Sequence, residues 1–129
     1  MTFYEAEIKR IRSICYANDK QLETVIAVRN FIDQHFEETL DLDQLSRVGL
    51  TSKYHLLRLF KQYYGLTPRQ YLIDKRIAAS KEQLRKGTSV TECCWAVGFA
   101  SLGSFSTLFK ARTGQSPREY QKEQLSRST

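Results

Sequence analysis

The side chains best suited to strong, directed contacts fall in two runs. In the first, Ser52, Lys53, Tyr54, His55, Arg58 and Lys61 set a hydroxyl, two ammonium groups, a phenol, an imidazole and a guanidinium within ten residues. The second is sparser and holds Ser101, Ser104, Thr107, Lys110 and Arg112. Charged N–H donors of this kind grip anionic oxygens and the acceptor edges of bases, which is the chemistry of recognition rather than of bond making. Catalysis has no comparable constellation. The chain shows no paired carboxylates, nucleophile–base set or phosphate-binding glycine loop, so no enzyme activity is expected. No metal or other cofactor is expected either: Cys93 and Cys94 are adjacent, while Cys15, His35 and His55 lie far off in sequence, and none of these spacings suits zinc. The expected role of the cysteines is packing in the core.

Charge is divided unevenly along the chain. Residues 1–43 hold five Lys/Arg against nine Asp/Glu, a balance of −4, whereas residues 44–129 hold fifteen against five, a balance of +10. A positive field so concentrated suits a polyanion such as nucleic acid, because neutralising phosphates releases condensed counterions. The 129 residues are 41% hydrophobic, enough for one or two small domains with a core. No apolar run approaches the roughly 18 residues that span a bilayer, so no membrane association is expected. The start, Met1-Thr2-Phe3-Tyr4-Glu5, is interrupted by acid and unlike a secretory signal, which points to the cytoplasm.

These contact groups need helices to position them, since two prolines, six glycines and no hairpin signal predict a chain that is nearly all helix. Leu22, Val25, Ile26, Ile32 and Phe36 fall near one stripe of a helix over about 21–36. Asp41 caps a short helix starting at Leu42, with Gln44 placed as in a capping box, and Gly49 marks the turn that follows. A helix over about 52–64 stops at Gly65. In it Leu56, Leu59, Phe60 and Tyr63 suit the buried side, and Lys53, Tyr54, Leu57, Arg58 and Lys61 the opposite one. Thr67-Pro68 then opens a helix that runs to Lys86 and closes at Gly87.

From Ser89 the pattern recurs. Ser89-Val90-Thr91-Glu92-Cys93-Cys94 corresponds to Asp41-Leu42-Asp43-Gln44-Leu45-Ser46 at an offset of 48. Beyond it the offset is 49: Phe109-Lys110 answers Phe60-Lys61, Gly114 answers Gly65, Ser116-Pro117-Arg118 answers Thr67-Pro68-Arg69, and Tyr120 answers Tyr71. One residue is therefore inserted in the second turn. Each copy is a short helix, a tight turn and a longer helix, which is the order of a helix-turn-helix.

The stretch from about Val25 to Gln121 resembles the DNA-binding module of the AraC/XylS family of bacterial transcription regulators. The residues that carry the likeness are Ser52 to Lys61 with Gly65, Pro68 and Tyr71, then Val97-Gly98-Phe99, Phe105-Ser106, Phe109-Lys110, Gly114 to Pro117, and Tyr120. The resemblance implies an all-α fold of two helix-turn-helix subdomains joined by a long connecting helix, and a chain that binds double-stranded DNA as a transcription regulator, most often an activator. In these terms the domains are a first subdomain at 21–66, the connector at 67–87 and a second subdomain at 88–129. Within the connector, a helix from Pro68 to Lys86 has 19 residues and would be about 28 Å long, a length suited to reading successive major-groove segments.

By position, the resemblance assigns base reading to Tyr54, Leu57 and Arg58 in the first unit and to Leu102, Gly103, Ser104 and Thr107 in the second. Phosphate contacts are expected from Ser52, Lys53, His55, Lys61 and Arg69, and from Ser101, Lys110, Arg112 and Arg118. Phe99, Phe105, Phe109, Trp95 and Tyr120 are expected in the core. Residues 1–20 lie outside the resemblance. Tyr4, Ile8, Ile11 and Cys15 recur at helical spacing there, so this segment is open to three roles: docking on the domain, forming a dimer seam, or leading from a sensor domain. The chain then acts as a monomer on DNA or as a dimer through that segment or a missing domain. RNA polymerase is a further candidate partner, and a module that binds protein rather than DNA is the competing reading.

Overall fold

A computed structural model describes residues 2–127, and among these all regular structure is helical. The helices are α1 (Phe3–His35), α2 (Leu42–Val48), α3 (Lys53–Tyr64), α4 (Pro68–Arg85), α5 (Val90–Ala96), α6 (Leu102–Thr113) and α7 (Pro117–Arg127). Their ends are set by local chemistry. The side chains of Asp41, Ser52, Ser89 and Ser101 each accept the backbone N–H three residues on, and so cap α2, α3, α5 and α6. Gly65 and Gly114 stop α3 and α6 in the left-handed conformation, at φ 76° and 84°. Pro68 and Pro117 open α4 and α7, where a missing N–H costs nothing.

The predicted 21–36 helix proves much longer. α1 begins at Phe3 and continues without a break, because no glycine or proline occurs before Gly49. Its apolar stripe is covered only in part: Val25, Val28 and Ile32 are buried, while Leu22 is 44% exposed.

The chain forms two compact units. The first comprises the chain up to Phe31 with Asp41–Pro68, and the second comprises Ile32–Leu40 with the chain from Arg69 onward. In the first, Val25 and Val28 of α1 join Leu45, Leu56, Leu59 and Phe60 as buried residues, and the Phe60 ring lies 4.7 Å from that of Tyr64. Gly49 is needed here for closeness rather than for an unusual turn. Its φ is −81°, and a Cβ would meet the methyls of Thr24 and Val28 at 3.1 Å. The left-handed residue of this turn is Leu50, at φ 53°. Tyr63 departs from expectation: it is 37% exposed, with its hydroxyl near the Gln21 side chain, because α3 turns this flank to solvent rather than to the core.

The second unit has an aromatic core. Phe105 stacks between Phe99 at 5.1 Å and Phe109 at 5.7 Å, and Phe109 meets Tyr120 at 5.4 Å. Ile73, Ile77, Leu84, Cys93, Cys94 and Val97 complete it. Trp95 does not belong to this core as expected. It is 52% exposed, since a helix of seven residues turns one face inward and Cys93, Cys94 and Val97 already fill it.

The cysteines also divide. Cys93 and Cys94 are fully buried packing thiols, whereas Cys15 is exposed on α1, contrary to a packing role, because among the described residues none packs over this part of the helix. Burial, with Cys94 alongside, pushes the Cys93 thiol up to about 11, and burial raises that of Cys94 as well. A thiol whose pKa is raised stays protonated and unreactive at neutral pH. Native protein at pH 7.5 should therefore release one equivalent of a thiol-reactive dye quickly, from Cys15, and two more only on denaturation. Fast release of three equivalents would show that the second core is open.

Candidate nucleic-acid interface

The first of the two runs lies along α3. Ser52 is its N-cap, with Oγ accepting the His55 N–H at 3.1 Å, so this hydroxyl is engaged in holding the helix start. Tyr54 stands 85% exposed one residue into the helix. Arg58 follows one turn later and Lys61 one turn beyond that, both exposed, on the side opposite Leu56, Leu59 and Phe60. Leu57 is only half-exposed beside them. Arg58 donates from Nη2 to Nδ1 of His55 at 2.9 Å, a bond in which the imidazole must be the acceptor. His55 thus steadies the guanidinium on this face. Lys53 reaches back to Asp43 of α2 at 2.8 Å, and this bond holds the Asp43 carboxyl below its ordinary range.

α6 repeats the construction with different groups. Ser101 caps it, accepting the Ser104 N–H at 3.1 Å. Leu102, Gly103, Ser104, Thr107 and Lys110 are exposed along the helix. At the positions equivalent to Tyr54 and Arg58, however, stand Gly103 and Thr107, so this face carries no aromatic ring and no guanidinium until Arg112. Arg112 is tied at its Nε to Asp74 of α4, 2.7 Å away. Arg69 and Arg118 are exposed just inside the proline starts of α4 and α7.

Groups that sequence reasoning missed support the second unit from behind. Arg76 of α4 donates from Nε to the Phe36 carbonyl at 2.7 Å and from Nη2 to the Glu38 carbonyl at 2.8 Å, while its guanidinium lies 5.7 Å from the Phe99 ring centre. Burial, and then the like charge of Arg69, lower its pKa from the ordinary value. Gly98 backs onto the same turn, where an added Cβ would stand 2.8 Å from the Glu37 oxygen and 2.9 Å from that of Phe36. Asp33 accepts from the Tyr71 hydroxyl at 2.6 Å and pairs with Lys75 at 3.2 Å. No local signal marks these contacts, for the hydrogen bonds and the ion pair join residues about forty positions apart, and Arg76 and Phe99 are 23 apart.

Comparison with known proteins agrees with this architecture. Residues 45–123 match the family model described as a helix-turn-helix domain. Among curated proteins, the chain is 32% identical over 116 residues to the probable transcriptional regulator LumQ of Photobacterium leiognathi, covering 85% of this chain and 46% of that protein. It is 34% identical over 99 residues to the bifunctional transcriptional activator/DNA repair enzyme AdaA of Bacillus subtilis, covering 76% and 47%. The chain thus spans about half the length of these relatives. Among solved structures, the DNA-binding domain of AdpA, a global transcriptional factor crystallised with a target DNA, superposes with a TM-score of 0.78 at 25% identity, over 81% of this chain and 96% of that one. With two like-built helix pairs, the matched domain model and these relatives together, the chain belongs to the AraC family of helix-turn-helix transcription regulators.

Proposed function

We propose that this chain binds double-stranded DNA sequence-specifically, with α3 and α6 as reading helices, and regulates transcription as an activator. The observation that carries the reading is the pair of like-built helices. Each starts on a capping serine, each follows a short helix through a tight turn, and each leaves one face bare, as a helix-turn-helix does in offering its second helix to a major groove. The +10 balance of residues 44–129 supplies attraction to phosphates. Arg58 is assigned to guanine, whose O6 and N7 fit a guanidinium fork, and Tyr54 and Leu57 to thymine methyls. Leu102, Gly103, Ser104 and Thr107 face bases with weaker chemistry. Ser52, Lys53, His55, Lys61, Arg69, Ser101, Lys110, Arg112 and Arg118 take phosphates, Lys53 and Arg112 exchanging their aspartates for them. RNA polymerase is the further partner that an activator engages.

Selection of a binding site from random duplexes, followed by affinity titrations across salt, tests this reading. If Lys61, Arg69, Lys110 and Arg118 alone each meet one phosphate, log affinity should fall with log salt at a slope of about −3.6 or steeper. A slope near zero overturns DNA binding and leaves these helices as a surface for protein.

The two readers should also differ. Arg58→Ala should cost about 1–3 kcal/mol on the selected site and relax specificity at one or two base pairs, as loss of a bidentate contact does. Thr107→Ala removes one hydroxyl and one methyl and should cost less. Affinities on cognate and single-mismatch duplexes at fixed salt decide the point. Equal weakening of every sequence by Arg58→Ala would reassign that side chain to a phosphate.

A further inference from the structure

The bond between Arg58 and His55 fixes more than the direction of one guanidinium. A guanidinium only donates, so Nδ1 of His55, 2.9 Å from Nη2 of Arg58, must offer a lone pair. An imidazole that accepts at Nδ1 is neutral and carries its proton on Nε2, at the far side of the ring. His55 thus has its acceptor engaged by Arg58 and one donor left, and among the described residues no protein group accepts from that donor. Nor does Arg58 have a second partner among them. The two residues stand one turn apart on α3, His55 half-buried and Arg58 exposed.

We infer that His55 is the positioning residue of the first reader: its Nε2–H donates to a phosphate oxygen while its Nδ1 holds Arg58, so that the base-reading fork is aimed from the DNA backbone through one imidazole ring. The inference rests on the reading of α3 as a DNA-recognition helix. An arginine chain that is free in solvent must be immobilised on binding, which weakens its contact about two- to tenfold. Held beforehand by His55, Arg58 loses less freedom on meeting a base. A phosphate on Nε2 also polarises the ring and makes Nδ1 the better acceptor. The fork has two two-donor edges, so one remains for guanine O6 and N7. The second reader has no such device, since Ser104 and Thr107 stand at the equivalent positions.

Three substitutions separate the two ring nitrogens. Asn sets Oδ1 where Nδ1 stands and has nothing at Nε2, Gln sets an amide N–H near Nε2 without an acceptor at Nδ1, and Phe keeps a ring with neither. The His55 N–H that Ser52 caps is backbone and is retained in all three, and thermal melts check that they fold. On the selected duplex and its single mismatches, discrimination at the base pair read by Arg58 should fall about two- to tenfold in His55→Gln and His55→Phe but stay near wild type in His55→Asn. His55→Asn and His55→Phe should weaken every duplex alike by about two- to fivefold, as loss of one neutral hydrogen bond does, whereas His55→Gln should not. With Arg58→Ala in place, His55→Phe should cost no further discrimination. A neutral ring displaces no counterion, so the salt slope should be the same in all three. A slope shallower by about 0.9 in His55→Phe would mean a charged imidazole on the phosphate, one unable to accept from Arg58, and would overturn the inference. So would equal discrimination in the Asn and Phe proteins, or imidazole nitrogen shifts of the free protein at pH 8 that place the proton on Nδ1, even with site preference intact. A wild type without site preference overturns the DNA reading itself, and the inference with it.

Discussion

Gly98→Ala should destabilise the second unit by about 3–5 kcal/mol, seen as an early urea transition in the fluorescence of Trp95, the single tryptophan. Two costs combine at this position. Gly98 has φ 101°, a region that an L side chain enters only under strain. The new Cβ would also stand 2.8 and 2.9 Å from two backbone oxygens, which cannot swing aside as the tip of a side chain can. The turn carrying Phe36 and Glu37 would have to move, and Arg76 is bonded to that turn. Gly103→Ala serves as the contrast: nothing lies within 4 Å of the added methyl and φ is not positive, so helix propensity should raise stability by up to about 1 kcal/mol. A loss below about 1 kcal/mol in Gly98→Ala would show that the turn yields freely.

Arg76→Met should cost the same unit about 2–4 kcal/mol, because it leaves the Phe36 and Glu38 carbonyls without their charged donor while keeping much of the apolar volume. Arg76→Lys should recover part of the loss, since an ammonium is a single point charge and cannot span two carbonyls two residues apart as the guanidinium fork does. Because Arg76 and Gly98 act on one turn, the double variant should fall short of the sum of the singles by more than about 0.5 kcal/mol. Equal stability in the Lys and Arg proteins, or strict additivity with Gly98→Ala, would mean that the two do not share this turn.

The local grammar of the fold was legible in the residues. Asp41, Ser52, Ser89 and Ser101 as caps, Gly65 and Gly114 as stops, and Pro68 and Pro117 as starts each act on groups within about four positions, so their effect is independent of the rest of the chain. The repeat at offsets of 48 and 49 follows from the same punctuation. The buried side of α3 at Leu56, Leu59 and Phe60 could be read for a related reason, as helical period alone aligns those three. Which parts of an apolar stripe find a partner was decided by tertiary structure alone. α1 is apolar on one face from Tyr4 to Ile32, but the fold covers it only from Val25, leaving Cys15 and Leu22 bare. Trp95 and Tyr63 have the composition of core residues and lie on flanks that their helices turn to solvent. Leu50 takes a left-handed conformation that favours glycine, while Gly49 beside it is kept for a close approach. The bonds from Arg76 to two carbonyls and from Tyr71 to Asp33 span 38–40 residues. Nothing within a turn of either side chain signals such a pairing, because its energy arises only once the chain has folded and excluded the water that would otherwise satisfy these groups.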